Sequence, residues 1–257
     1  MSQEARHFLI SFPKCGRTWV RYIFAVLEGE VKKRGGALPP VLATHDDDPH
    51  WKYPHELSRD KTSYANSSVL FMARDPRDVV VSLYFERTRR IHLYQPEWFA
   101  PELRERVKKF EGTISEFLRE PCGSFGTLVE FYNLWCVNRG VPEKFFLLRY
   151  EELYADPIHR LNSVLRELFG IAVSPDLLSA VVAQCSFEKM HALEGSGLLN
   201  HMALTPGDAT DPESFKTRRG KQGGYVDYLS HEDITYLNNI IDSKLDPWFG
   251  YGAKKPL

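Results

Sequence analysis

The 257-residue chain sets 33 lysines and arginines against 34 aspartates and glutamates, a formal net charge of -1, with 43% hydrophobic and 26% charged residues. That profile belongs to a soluble globule with a core ample for folding; it excludes a disordered, collagenous or coiled-coil chain and argues against general nucleic-acid binding. No apolar run approaches the ~20 residues of a membrane span and Met1 to Arg6 lacks a signal peptide's apolar stretch, so a cytoplasmic protein without a membrane span is expected.

The first apolar run, His7 to Phe12, breaks at Pro13-Lys14-Cys15-Gly16 and gives way to Trp19, Val20, Ile23, Phe24 and Leu27 at helical spacing, with Gly29 as the expected stop. The unit reads strand, tight loop, helix. Val41-Leu42-Ala43 ends at Thr44-His45. Val69 to Ala73 ends at Arg74-Asp75-Pro76, where Asp75 is suited to cap a helix and Pro76 to occupy its first position. Phe145 to Leu148 ends at Arg149-Tyr150. Between and after these runs, Leu128, Phe131, Tyr132 and Trp135 form one helical stripe and Leu161, Val164, Leu165 and Leu168 another. Ser174-Pro175 opens a third helix, and Ser230 with Asp233 resembles a capping box before a fourth.

Short, continuously apolar strands alternating with helices predict an α/β fold with a central parallel sheet flanked by helices. The expectation is a single domain over 1–257. Gly35 to Pro40, His92 to Arg106 and Gly195 to Pro212 read as loops or insertions, the last within a lid expected over 190–217. Cys15, Cys122, Cys136 and Cys185 are scattered without metal-site spacing, which predicts reduced thiols and no metal centre.

Ligands of open α/β sheets bind beyond the carboxyl ends of the strands, and here those ends carry Lys14 to Thr18, His45, Arg74 and Tyr150. The turn Ser11 to Thr18 has the layout of a P-loop-like phosphate cradle: backbone amides at a helix start, a glycine for close approach, and basic and hydroxyl side chains. It is not a Walker motif, because Ser11 stands where that motif begins with glycine and Arg17 where it has lysine.

Phe12-Pro13-Lys14-Cys15-Gly16-Arg17-Thr18-Trp19 closely resembles the 5′-phosphosulfate loop Y-P-K-S-G-T-T-W of sulfotransferases that use 3′-phosphoadenosine 5′-phosphosulfate (PAPS). Arg74, Asp78 and Ser82 match that family's second signature, R-x-x-x-D-x-x-x-S, and Arg218-Arg219-Gly220 its third, R-K/R-G, in the family's order. The resemblance implies that Lys14, Cys15, Gly16, Arg17 and Thr18 hold the 5′ end of PAPS, and that Arg74, Ser82, Arg218, Arg219 and Gly220 hold its 3′ phosphate. Trp19, Tyr150 and Phe187, the last in a segment similar to the family's S-F-x-x-M, are implied as adenine contacts. A nucleotide charged at both ends needs two cationic sites, and guanidinium forks suit its phosphates.

Lys14 is implied as the group that stabilises the leaving bridging oxygen. His45 resembles the base of the family's K-T-H segment, from which Ala43 departs by replacing the lysine; since some carbohydrate-directed members use a carboxylate base, the resemblance leaves Asp46 as a fallback. The implied activity is sulfuryl transfer to a small hydroxylated acceptor, leaving adenosine 3′,5′-bisphosphate. The rivals are a P-loop-like nucleotide kinase, since Gly16-Arg17-Thr18 mimics the end of a Walker motif, and a non-catalytic module that binds the bisphosphate. Acceptor identity and oligomeric state are not readable; Tyr84, Phe85, Tyr94, Trp98, Phe99 and the loop from Leu198 to Thr205 are candidates to line an acceptor pocket.

Overall fold

The computed structural model describes residues 6–196 and 204–252. The opening segment before Arg6, and Leu198 to Ala203 of the loop expected to line an acceptor pocket, lie outside the described residues. The chain divides into two compact units, one of Met1–Asp46, Ser58–Arg74 and Val137–Ser186, the other of Asp47–Leu57, Asp75–Cys136 and Phe187–Leu257.

The first unit holds the sheet. Strands β1 (Arg6–Ser11), β2 (Val41–Thr44), β3 (Ser67–Ala73) and β4 (Lys144–Arg149) pair in parallel in the order β2-β1-β3-β4. β3 is buried along its whole length, which explains its unbroken apolar run. The register pairs Ile10 with Thr44, Ser11 with Met72, and Ala73 with Arg149. Because all four strands run the same way, the residues that follow them (Phe12, His45, Arg74 and Tyr150) emerge along one edge. β1 sits between β2 and β3, so the loops after β1 and β3 leave neighbouring strands at the point where connections switch direction.

Helix α1 (Arg17–Lys33) buries Val20, Ile23 and Leu27. Gly29 does not stop it. A glycine inside a helix costs about 1 kcal/mol, and here Glu30, paired with Lys33 at 2.7 Å and with Arg34 at 3.0 Å, supports the last turn. The chain leaves the helix instead at Gly35, whose φ of +78° suits a left-handed turn. The same unit contains α5 (Tyr150–Ala155), α6 (Pro157–Phe169) and α7 (Pro175–Gln184). Ser174 caps α7 by accepting from the Leu177 amide.

The second unit contains α2 (Pro76–Phe85), α3 (Ile114–Arg119), α4 (Phe125–Val137), α8 (Phe187–Gly195) and α9 (His231–Lys244). A π-helical turn, Glu86–Arg90, continues α2. The stretch from His92 to Arg106 is not plain loop. It winds into 3-10 turns at Ile91–Leu93, Pro96–Trp98 and Pro101–Arg106, and Leu103 with Val107 seals a small core around Trp51 and Ile91. Turns of one to two repeats leave no helical periodicity to read. Ser230 caps α9 by accepting from the Asp233 amide at 3.1 Å.

Asp75 carries the start of α2. Its carboxylate accepts from the Arg77 amide at 2.9 Å and from the Arg77 guanidinium at 2.9 and 2.7 Å, with Pro76 in the first turn. Asp75→Ala is expected to cost about 1–2 kcal/mol in urea unfolding and Asp75→Asn less, since Asn keeps the cap but not the charge.

Candidate functional site

In the turn between β1 and α1, Lys14 has φ +74° and Gly16 φ +98°, both left-handed. A lysine held there is strained by roughly 1–2 kcal/mol, the kind of outlier that clusters at functional sites. Glycine is required at position 16 for a second reason: an added Cβ would lie 2.7 Å from Tyr150 Cδ2 and 2.9 Å from Met72 Cε. The turn is thus wedged against β3 and the residue that follows β4, and Gly16 begins α1 by accepting from the Trp19 amide at 2.9 Å.

No side chain caps α1, and no acidic residue lies in its first turn. The positive end of its dipole meets Arg17 at the first helical position, a placement that costs stability unless an anion is nearby. Arg74, following β3, donates through Nη1 to the Lys14 carbonyl at 3.5 Å and lies 4.4 Å over the Tyr150 ring. Lys14, Arg17 and Arg74 therefore gather within one unit of a chain that is nearly neutral overall. Cys15 is fully buried, so its thiol is withdrawn from the surface. Trp19 anchors its indole by donating to the Cys185 carbonyl at 2.8 Å and meets Tyr150 edge-on at 5.9 Å.

The tautomer of His45 follows from its partners. Arg17 Nη2 lies 2.6 Å from Nε2, and the Ser11 carbonyl lies 2.9 Å from Nδ1. A guanidinium only donates and a carbonyl only accepts, so Nδ1 carries the proton and Nε2 presents a lone pair. Asp46 is differently employed. Its carboxylate is buried, with Lys61 Nζ at 2.6 Å and the Tyr64 hydroxyl at 2.8 Å. Asp46, Asp47 and Asp48 all have positive φ, a left-handed run that turns the chain sharply after β2.

The remaining sequence-predicted residues lie in the other unit. Ser82 is half-buried on α2. Gly220 has φ +59°, and an added Cβ would sit 2.5 Å from the Phe187 ring, so α8 and the Arg218-Arg219-Gly220 turn are packed together. Phe187 stacks on His191, whose Nδ1 donates to the Thr217 carbonyl at 2.8 Å. Arg218 is paired with Glu213 at 2.9 Å and lies 4.4 Å over the Phe85 ring, while Arg219 meets Asp227 at 3.0 Å. A hydrogen bond from Lys221 holds the Asp227 carboxyl below its ordinary range.

These carboxylates were not anticipated, nor was Glu194. That side chain is fully buried and accepts from the amides of Lys216 at 2.6 Å and Thr217 at 2.8 Å, with Arg90 at 3.4 Å. It pins the two residues that precede Arg218. Nothing in its local sequence marks it, because its partners stand more than twenty residues away.

A family model described as "Sulfotransferase domain" matches residues 39–249. The chain is 27% identical to flavonol 3-sulfotransferase of Flaveria bidentis, over 93% of this chain and 81% of that protein. It is 24% identical to human sulfotransferase 2B1, over 94% of this chain and 67% of that protein. Among solved structures it resembles mouse sulfotransferase SULT7A1 complexed with PAP, with a TM-score of 0.64, 17% identity, and coverage of 95% of this chain and 85% of the other. It also resembles a retinol dehydratase in complex with androsterone and inactive cofactor PAP, with a TM-score of 0.62, 14% identity and coverage of 98% and 82%.

Gly16→Ala combines a left-handed backbone with a clash against Tyr150 and Met72. It is expected to lose about 2–4 kcal/mol in urea unfolding, whereas Gly29→Ala, which faces open space, should gain up to about 1 kcal/mol.

Proposed function

Because the chain belongs to the sulfotransferase domain family, we propose that it transfers a sulfuryl group from PAPS to a small hydroxylated acceptor, with His45 as base and Lys14 on the leaving oxygen. The observation that carries this reading is the fixed tautomer of His45. Its proton is held by the Ser11 carbonyl, so Nε2 keeps a lone pair beside a cationic turn that favours an anionic donor.

The residue roles are as follows. Lys14, Arg17, Thr18 and the amides of Cys15 and Gly16 take the 5′-phosphosulfate. Arg74, Ser82, Arg218, Arg219 and Gly220 serve the 3′ phosphate. Trp19, Tyr150 and Phe187 serve the adenine, whose flat faces suit aromatic rings. As the acceptor oxygen bonds to sulfur, its proton passes to His45 Nε2. The bond from sulfur to the bridging oxygen breaks, and its electron pair stays on adenosine 3′,5′-bisphosphate, where the Lys14 ammonium offsets the growing charge. The His45 imidazolium so formed keeps its Nδ1 proton on the Ser11 carbonyl. Positioning and electrostatics suffice for this step, and no divalent metal is required by it.

The flavonol sulfotransferase relative supports a small hydroxylated acceptor. Trp98 is half-exposed, and Tyr94 stacks on Phe99 at 6.2 Å, so this aromatic group has surface to offer such a molecule. No helix among the described residues is long and apolar enough to cross a membrane, in keeping with a proposed cytoplasmic site of action on a small metabolite.

Incubation with sulfur-35 PAPS and a panel of flavonols, phenols, alcohols and sugars, with and without Mg2+ and with ATP as competing donor, tests the reading. Label is expected to reach an acceptor without added metal. Transfer that requires ATP would point to a kinase, and tight bisphosphate binding without turnover to a sensing module. His45→Ala is expected to lower kcat at least about a hundredfold while leaving the affinity for adenosine 3′,5′-bisphosphate, measured by calorimetry, within about twofold.

A further inference from the structure

The hydrogen bond that fixes the His45 tautomer also occupies the lone pair the base would use. Arg17 Nη2 sits 2.6 Å from Nε2, and a guanidinium has no way to accept a proton. An imidazole so engaged cannot take a proton from an alcohol until the guanidinium moves. Arg17 is also the first residue of α1, immediately after the left-handed Gly16, so its side chain starts beside the helix end where an anion is favoured.

We infer that Arg17 is a positioning residue that masks His45 in the nucleotide-free chain, and that an anion seated on the β1–α1 turn draws the guanidinium away and frees Nε2. The inference rests on the reading of His45 as the base. A phosphate or sulfonate oxygen adds the attraction of opposite charges and room for a second parallel hydrogen bond, neither of which a neutral imidazole nitrogen offers the guanidinium, so the anion wins the competition for Arg17. Two other charged groups of this unit are engaged elsewhere: Asp46 is bound to Lys61 and Tyr64, and Arg74 lies over Tyr150 against the Lys14 carbonyl. The consequence is an order of events. The base becomes competent after the donor is in place, and an acceptor arriving first meets a histidine whose Nε2 lone pair is engaged by Arg17.

Carbethoxylation by diethyl pyrocarbonate reads the mask directly, because the reagent attacks an unprotonated imidazole nitrogen with a free lone pair. Peptide mass spectrometry follows His45 separately from the other histidines, with exposed His55 as the internal standard for folded protein. In the nucleotide-free full chain, Arg17→Thr and Arg17→Ala are expected to raise the His45 labelling rate about tenfold, while His55 is unchanged. Saturating adenosine 3′,5′-bisphosphate is expected to raise it similarly in the unaltered protein, the opposite of ordinary ligand protection. Equal His45 rates in the unaltered chain and both variants would overturn the mask. Faster labelling in the variants with no response to the bisphosphate would overturn release by nucleotide. Neither outcome depends on turnover, so a failure of the base assignment, read from the kcat of His45→Ala, is told apart from a failure of this inference.

Discussion

Gly16 has no room for a side chain, and the arrangement of the candidate site follows from that constraint. Tyr150 and Met72 close on the position where a Cβ would stand, and the φ of +98° is one that glycine adopts without strain. The turn is consequently pressed onto two neighbouring strand ends rather than standing free. That contact sets where α1 begins, where its first amides point and how Lys14 is turned. Tyr150 serves three neighbours at once, flanking Gly16, supporting the Arg74 guanidinium and meeting Trp19 edge-on.

Electrostatics divides the basic residues into two kinds. Lys14, Arg17 and Arg74 accumulate around a helix N-terminus whose own dipole is positive, an arrangement that raises the local potential and favours an anion. Arg218 and Arg219 are partnered by Glu213 and Asp227, and the backbone just before them is clasped by buried Glu194. A buried carboxylate is costly to desolvate, and Glu194 offsets that cost with two backbone amides, the Thr217 hydroxyl and Arg90. The first group lies at a helix start, and the second is held by carboxylates of its own unit.

The region after β2 shows why a run of like residues can mislead. Asp46 reads from the sequence as a fallback general base, yet it and the two aspartates after it adopt left-handed backbone in succession. Aspartate tolerates that conformation better than most residues. The buried pairing of Asp46 with Lys61 and Tyr64 fastens the turn next to His45. The aspartates serve the geometry of the neighbouring histidine, and the sequence signal for this is their type and not their charge.

Local rules carried the chain a long way on sequence alone. Apolar runs marked the four strands, the parallel α/β class followed from their alternation with helices, and Asp75-Pro76, Ser174-Pro175 and Ser230 marked helix starts, because capping and periodicity are settled among residues a few positions apart. The polar groups at the strand ends were legible for the same reason. Only the tertiary structure decided that Arg17 reaches His45, that Trp19 is tethered to Cys185, and that Tyr150 closes on Gly16. Those contacts join residues from 28 to 166 positions apart, and they depend on strand register and side-chain rotamers. No local pattern encodes either, since each is fixed by the packing of several elements at once.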